Sequence, residues 1–261
     1  MLPRRELLEG SRRGAELEPL LAAAERALLT WEPVWSGFLE PALREEAEAR
    51  MGGLSELALS SEGGYPGAER RRLLLQRAEA VREADALPAG LTGLEIAGNF
   101  LFDPATAEEV RQGLLAGGAE ASEVGDVWLR GDRGGQAVVL EELAQRLDGT
   151  TGLVRTVAVR FEARPIEHLQ LPAARHSRPL TTVEASLRLD AVASAGFGLS
   201  RSRMADLIRQ GAVRIDWEPV TRASRELAAG ERVQLEGKGE LLIEAIDRTR
   251  RDRFRIRMER R

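Results

Sequence analysis

The chain has 261 residues, 43% of them hydrophobic and 31% charged, with a formal net charge of −4. This composition is typical of a globular protein with more than one domain, and the net charge alone argues against strong general nucleic-acid binding. The absence of cysteine excludes disulfides and thiolate metal sites and favours a reducing compartment. The N-terminus lacks the apolar region of a signal peptide and no run approaches membrane-spanning length, so we expect a cytoplasmic protein without membrane insertion.

Residues 1–87 are predicted to form a helical N-terminal domain. Helical spacing of apolar residues appears first around Leu17–Ala24 and again over Val34–Met51, where Trp35 and Phe38 contribute. A glycine-rich run, GGYPGAERRR, follows at residues 63–72. It lacks the Gly-Lys-Ser/Thr of a phosphate-binding P-loop, so we interpret it as a loop that caps a helix over residues 69–86.

Residues 88–163 alternate strand and helix patterns. The predicted elements are strands at 91–97, 125–129, 136–140 and 154–161 and helices at 105–115 and 141–147. The order βαββαβ is that of a ferredoxin-like domain, which RNA-recognition domains also use. Those domains stack bases on paired aromatic residues, whereas the predicted strands here offer little beyond Trp128. A complete RNA-recognition motif is therefore not supported, and a basic-edge or interdomain role is an equal alternative.

Residues 164–182 are predicted to be a linker. Three prolines punctuate this segment, which also carries both histidines, His168 and His176. A metal site would need further ligands nearby, so we favour the plain linker.

Residues 183–261 are predicted to be the last domain, and residues 187–235 within it form a compact helix–turn–helix–hairpin unit. A short helix with Leu189 and Val192 on its apolar face breaks near Gly198, and Ser200 stands at the N-cap position of a second helix. That helix is predicted to stop at Gly211 and to be followed by a strand at 213–215, a turn at 216–219 and a strand at 232–235.

Arginine side chains collect on this unit. Arg203 and Arg209 lie on the helix face opposite the apolar stripe, Arg201 lies in the first turn, and Arg188 and Arg214 flank the two helices. Guanidinium groups suit phosphate because they donate two hydrogen bonds and stay charged. Charge is also uneven along the chain, since residues 186–261 carry 17 basic and 12 acidic side chains and the rest 21 and 30. An ordinary solvated arginine face would explain any one of these residues but not the whole arrangement.

The run from Arg188-Leu189-Asp190 through SRSRMADLIRQGAVRI to AAGERVQL resembles the S-four (S4) RNA-binding domain. The resemblance implies that seven residues lie on or near an RNA surface: Arg188, Ser200, Arg201, Arg203, Arg209, Gln210 and Arg214. The sequence departs from the family pattern at two turns. Asp216–Trp217 replaces the usual Asn-Gly, which puts the hairpin geometry in doubt, and Gly230–Glu231 replaces Gly-Asp.

S4 domains often accompany enzymes, but the sequence lacks a complete signature of the enzyme classes that carry them. Arg188-Leu189-Asp190 imitates a pseudouridine synthase motif, but too little chain follows it for a synthase domain, and Asp190 is better interpreted as a capping or structural residue. The signatures of tyrosyl-tRNA synthetases are missing, and Asp148–Gly152 is a weak imitation of a methyltransferase cofactor loop that follows a helix rather than a strand. We expect no catalytic residues, cofactor, metal or small-molecule substrate.

Taken together, GGYPGAERRR, the later ASEVGDVWL and the S4-like end resemble the YlmH family over nearly the entire chain. The nearest branch is that of the photosystem II S4 proteins of cyanobacteria and plastids. The resemblance implies an α+β, non-enzymatic RNA-binding protein that engages ribosomal RNA and tRNA on the large ribosomal subunit in ribosome rescue. The alternative is a photosystem II assembly or stability factor acting through protein partners. A third hypothesis is an unrecognised RNA-modifying enzyme.

Overall fold

The computed structural model describes residues 2–81, 87–173, 177–235 and 238–261. The chain divides into two compact units, residues 1–173 and 174–261. Within the described ranges, the helices all fall short of the length and apolarity that crossing a bilayer would demand.

The first part of unit 1 packs helices against a small sheet. Its elements are α1 (Arg4–Leu8), α2 (Gly14–Thr30), β1 (Val34–Leu39), α3 (Pro41–Met51), β2 (Leu57–Glu62) and β3 (Arg71–Arg77). The strands form an antiparallel sheet in the order β1-β3-β2. Leu17, Leu21 and Ala24 of α2 pack with Met51 of α3 and Leu73 of β3 in one buried core.

Two predicted helices of this region are wrong. Residues 34–39 form a strand in which Val34, Ser36 and Phe38 are buried alternately, and the helix begins only at Pro41, a residue suited to a first helical position. Residues 71–77 also form a strand, whose consecutive Leu73, Leu74 and Leu75 are all buried. A short apolar run of this kind fits a central strand that is buried on both faces as well as it fits a buried helix, so hydrophobic periodicity does not distinguish strand from helix. Residues 82–86 of the predicted helix lie outside the described residues.

The second part of unit 1 has the predicted ferredoxin-like order with one added strand. Its elements are β4 (Leu91–Ala97), α4 (Ala107–Ala116), β5 (Val124–Leu129), β6 (Gly134–Leu140), α5 (Glu141–Leu147), β7 (Thr151–Val154) and β8 (Val157–Arg164). The strands pair antiparallel in the order β5-β6-β4-β8-β7. The predicted strand at 154–161 is a tight hairpin, because Arg155 adopts a positive φ of 54° and reverses the chain between β7 and β8.

Helix α4 shows how local sequence fixes these boundaries. The hydroxyl of Thr106 accepts a hydrogen bond from the backbone N–H of Glu109, whose carboxylate in turn accepts one from the N–H of Thr106. This capping box satisfies two donors that a helix start otherwise leaves without partners. Helix α4 then buries Val110 and Leu114 against the sheet.

Unit 2 packs two helices on a six-stranded antiparallel sheet. Its elements are β9 (Arg178–Glu184), α6 (Leu189–Phe197), α7 (Arg201–Arg209), β10 (Val213–Ile215), β11 (Glu218–Pro219), β12 (Arg232–Leu235), β13 (Gly239–Arg248) and β14 (Phe254–Arg260). The strand order is β11-β10-β12-β13-β14-β9. The α+β class, the helical N-terminal region, the central sheet and the predicted helix pair with its hairpin are confirmed, apart from the two strands described above.

Close packing of α6 on the sheet depends on Gly196. A Cβ atom at this position would lie 2.3 Å from Cδ1 of Leu241 on β13, well inside van der Waals contact. The glycine therefore lets α6 approach the strand and bury Val192 and Ala193 in the core.

The predicted linker, residues 164–182, is only partly as expected. His168 ends a short 3-10 turn that begins at Ile166, and residues 178–182 of the expected linker belong to β9, which pairs with β14. His176 lies outside the described residues. The division into three domains and a linker stays a prediction.

Candidate nucleic-acid interface

The connection between α6 and α7 sets the direction of the arginine face. Helix α6 ends at Phe197, and Gly198 follows in the left-handed conformation with φ of 67°. The hydroxyl of Ser200 accepts a hydrogen bond from the backbone N–H of Arg203 at 3.2 Å, which confirms the predicted N-cap. Met204 and Ile208 of α7 are fully buried, so the opposite face of the helix points to solvent.

Asp190 joins two of the predicted RNA-facing residues. Its carboxylate accepts two hydrogen bonds from Arg188, both at 3.0 Å, and two from Arg201 at 3.1 and 3.2 Å. The Asp190 side chain is 8% exposed, whereas those of Arg188 and Arg201 are 38% and 55% exposed. One nearly buried carboxylate thus holds two accessible guanidinium groups together.

The arginines around Asp190 lower its pKa. Burial raises the pKa of Asp190, but the hydrogen bonds and positive charges of Arg188 and Arg201 outweigh burial and hold that pKa below its ordinary value. The hydrogen bond to Asp190 likewise raises the pKa of Arg188. The cluster is therefore ionised at neutral pH, with two positive charges and one negative.

The other predicted residues are exposed and more loosely held. Arg209 pairs with Asp206 at 2.5 Å, while Arg203 and Arg214 have no carboxylate within 4.0 Å among the residues that the structure describes. Arg214 lies between buried Val213 and Ile215 on β10 and so faces away from the core. The structure brings Arg188 and Arg201 together around one carboxylate and leaves Arg203, Arg209, Gln210 and Arg214 on the solvent side.

The turn after β10 forms despite its unusual residues. Asp216 and Trp217 have φ of 47° and 70°, the positive values that a two-residue hairpin of the I′ type requires. The Asp216 carboxylate accepts from the backbone N–H of Arg232 at 3.1 Å, and the guanidinium of Arg232 lies 5.8 Å from the centre of the Trp217 ring. Long-range contacts with β12 thus supply the stability that the intrinsic preferences of these residues do not.

Comparisons with known proteins agree with this geometry. The family model described as "S4 domain" matches residues 187–233, and that described as "YlmH, N-terminal" matches residues 13–80. The C-terminal unit contains an S4 domain. The matched S4 range includes all seven residues of the predicted surface.

Two individual proteins are also similar to the chain. "Ribosome-associated protein quality control protein P2" of Bacillus subtilis is 26% identical over 225 residues, which cover 85% of each chain. The solved structure "Cell division protein ylmH from Streptococcus pneumoniae" is 18% identical with a TM-score of 0.45, covering 58% of this chain and 93% of that one.

The glycine-rich loop makes a contact with β5 that the sequence did not predict. Asp126 on β5 is 8% exposed and accepts hydrogen bonds from the hydroxyl of Tyr65 at 2.8 Å and from the backbone N–H groups of Glu69 and Arg70 at 2.7 and 2.9 Å. The glycine-rich loop is therefore fastened to the central sheet and does not cap a helix. The signal available in the sequence was a carboxylate within an otherwise apolar strand.

Trp128 does not present a stacking face of the RNA-recognition kind. Its ring packs edge-on against Tyr65 with centroids 5.8 Å apart, and its indole N–H donates to the carbonyl of Gln170 at 2.9 Å. The backbone N–H of Gln170 in turn donates to Gln136 on β6 at 2.9 Å. Trp128 thus secures neighbouring segments of unit 1.

The described ranges contain no group of three or more His, Cys, Asp or Glu side chains arranged to hold a metal ion.

Proposed function

We propose that this chain is a YlmH-family RNA-binding protein of the ribosome, which contacts ribosomal RNA and tRNA on the large subunit during quality control and catalyses no reaction. The S4 domain and the ribosome-associated quality-control relative from Bacillus subtilis support this function. The proposal includes binding to the large ribosomal subunit and to tRNA. It also includes membership of the whole chain in the YlmH family and the predicted division into domains.

The observation that carries the proposal is the cluster of Arg188, Asp190 and Arg201, to which the structure adds the exposed Arg203 on α7 and Arg214 on β10. Paired guanidinium groups held by one carboxylate are already oriented, so less side-chain entropy is lost when they bind a phosphate. The deep groove of A-form RNA is closed to side chains, so recognition relies on shape and on backbone contacts of this kind.

The geometry of Asp190 supports a structural role over a catalytic one. Both of its oxygens are engaged by guanidinium groups and the side chain is almost buried. A nucleophile or general base needs an accessible oxygen directed at the substrate.

The choice of variant for a binding test follows from these contacts. Reversal of Arg201 would place a second carboxylate beside Asp190 and threaten the fold. Arg203 and Arg214 have no ion-pair partner within the described ranges, so Arg203→Glu with Arg214→Glu changes two residues of the predicted surface without breaking an ion pair.

We expect this double variant to bind purified ribosomal RNA at least about tenfold more weakly at ~0.1 M salt, with a shallower salt dependence, because phosphate contacts dominate such affinities. The thermal unfolding midpoint should stay near that of the wild type. Equal affinity of the two proteins in a titration would refute the assignment of Arg203 and Arg214 to the RNA-binding surface. If a pulled-down partner survives ribonuclease, the photosystem II hypothesis of a protein partner gains instead.

A further inference from the structure

A second arginine cluster lies beyond the S4 match, at the end of the hairpin formed by β13 and β14. An open groove of about 750 Å³ is found there. It is lined by Val183, Asp247, Arg248, Thr249, Arg250, Arg251, Arg253 and Arg255. Five of these eight residues are arginines.

The turn at the tip of the hairpin is held by its own hydrogen bonds. The backbone N–H of Thr249 donates to the carbonyl of Arg253 at 2.7 Å, and the Thr249 hydroxyl accepts from the N–H of Arg253 at 3.1 Å. Asp252 completes the turn with φ of 55°. An ordered tip of this kind presents Arg250 and Arg251 to solvent at fixed backbone positions.

The basic surface continues along the outer side of β14. Arg255 pairs in register with Asp247 of β13 and Val183 of β9, and all three are exposed, whereas the next residue, Ile256, is buried. Arg257, two residues on, is exposed on the same side, so the two arginine Cα atoms lie roughly 7 Å apart along the strand.

Most of this positive charge is not neutralised within the protein. Arg248 pairs with Asp252 at 3.0 Å and Arg257 with Asp247 at 3.8 Å. Arg250, Arg251, Arg253 and Arg255 have no carboxylate within 4.0 Å in the part of the chain that the structure describes. The last 14 residues hold eight arginines against Asp252 and Glu259, so a polyanion would relieve their mutual repulsion.

The groove suits phosphate groups better than a protein surface or a base. Protein interfaces depend on buried apolar anchors at their centre, and here the exposed apolar side chain is Val183 alone among the lining residues. The nearby Phe254 is only partly exposed and lies 5.9 Å from the guanidinium of Arg248, so it offers no open ring for stacking. Arginine donors without an aromatic platform are the chemistry of backbone recognition.

We propose that the β13–β14 tip and the outer side of β14 form a second RNA-backbone site, separate from Arg203 on α7 and Arg214 on β10. Arg214 lies on the same outer side of the sheet as Arg255 and Arg257, but on a different strand. Strand β10 lies three positions from β14 in the sheet, a distance of ~14 Å, and Glu240 and Glu259 interrupt the basic surface between them. The inference rests on the proposed RNA-binding function, to which it adds a second contact on the same unit.

The test compares three sets of Arg→Gln substitutions in the full chain by titration with purified large-subunit ribosomal RNA over a salt series. The tip variant carries Arg250→Gln, Arg251→Gln and Arg253→Gln, and the S4 variant carries Arg203→Gln and Arg214→Gln. The matched control carries Arg5→Gln, Arg12→Gln and Arg133→Gln, three exposed arginines of unit 1 that have no ion pair within the described ranges.

We expect the tip variant to bind about tenfold or more weakly at ~0.1 M salt and to lower the slope of log affinity against log salt by about 2, because each lost phosphate contact removes ~0.7–0.9 from that slope. Its thermal midpoint should match the wild type, and the control triple should bind as the wild type does.

Three outcomes would overturn the inference. A wild-type slope in the tip variant, with the S4 variant weakened, would remove the second site and leave the proposed function standing. Equal weakening of the control triple would show that the effect comes from overall charge. If the tip variant loses binding to anionic phospholipid vesicles while its RNA binding stays intact, the groove binds a membrane surface instead. If the wild-type chain itself fails to bind RNA, the proposed function fails first.

Discussion

At the scale of single residues, Asp190 determines the position of two of the arginines that the S4 resemblance assigns to RNA. Its nearly buried carboxylate accepts four hydrogen bonds from Arg188 and Arg201, which lie on opposite sides of it in the sequence. Because the pair of guanidinium groups remains accessible, the same contact stabilises the fold and orients the candidate binding surface.

We expect Asp190→Asn to lower the free energy of unfolding by about 1–2 kcal/mol at neutral pH, since hydrogen bonds to charged groups contribute ~1.5–3 kcal/mol and the exposed arginines are partly screened. The pKa of Asp190 is lowered in the folded state, so its stabilisation is complete above the unfolded Asp pKa of ~3.9 and is lost as the pH falls below it. Urea unfolding of both proteins across this pH range should show the difference shrink towards acid. A difference that is absent at neutral pH or constant with pH would contradict the role given to Asp190.

The sequence was informative about such residues only where the contact is local. Ser200 and Arg203 are three positions apart, so the N-cap follows from the helix start alone, and it is confirmed. The bond from Arg201 to Asp190 spans 11 residues and the break between two helices, so it depends on how α6 and α7 pack. The positions of residues along single helices do not predict a contact between two helices.

At the scale of elements, hydrogen bonds connect the glycine-rich loop at residues 63–72 to β5. Asp126 accepts three hydrogen bonds from residues 65–70, two of them from backbone N–H groups. The contact joins the small sheet of β1, β2 and β3 to the central sheet within unit 1.

We expect Asp126→Ala to lower the free energy of unfolding by about 2–4 kcal/mol, because it leaves several donors in a shielded position without their acceptor. Tyr65→Phe, which removes one donor and keeps the ring against Trp128, should cost about 1 kcal/mol. Urea unfolding checks both values, and hydrogen exchange of the Glu69 and Arg70 amides should quicken in the alanine variant alone. Unaltered exchange at those two amides would show that Asp126 does not hold the loop.

Element prediction succeeded in the middle of the chain and failed near its start for physical reasons. Strand β4 is flanked by turn residues, β6 follows the turn at residues 131–133, and helix α4 has a capping signal, so their type could be read locally. Strand β3 is covered on both sides and shows only a run of three leucines, which carries no period of 2. Its identity depends on pairing with β1 and β2, which no local pattern records.

At the scale of the whole molecule, charge separates the two ends of the sequence. Residues 186–261 carry a net charge of +5 and the remainder −9, so the overall value of −4 conceals a basic end. That end holds both the S4 match and the arginine-rich hairpin tip. The function proposed for the chain is therefore assigned to unit 2, and the same basic end would also attract an acidic protein, so a whole-molecule experiment must distinguish RNA from protein partners.

The measurement that tests the central claim most directly is sedimentation of the tagged full chain from lysate through a sucrose gradient, at low and then high salt. We expect co-migration with the large ribosomal subunit at low salt, release at high salt, and release at low salt by Arg203→Glu with Arg214→Glu, because counterion competition weakens phosphate contacts. The Arg5, Arg12 and Arg133 control variant should sediment as the wild type does. Migration of the wild-type chain with small complexes that resist ribonuclease would contradict the ribosomal function.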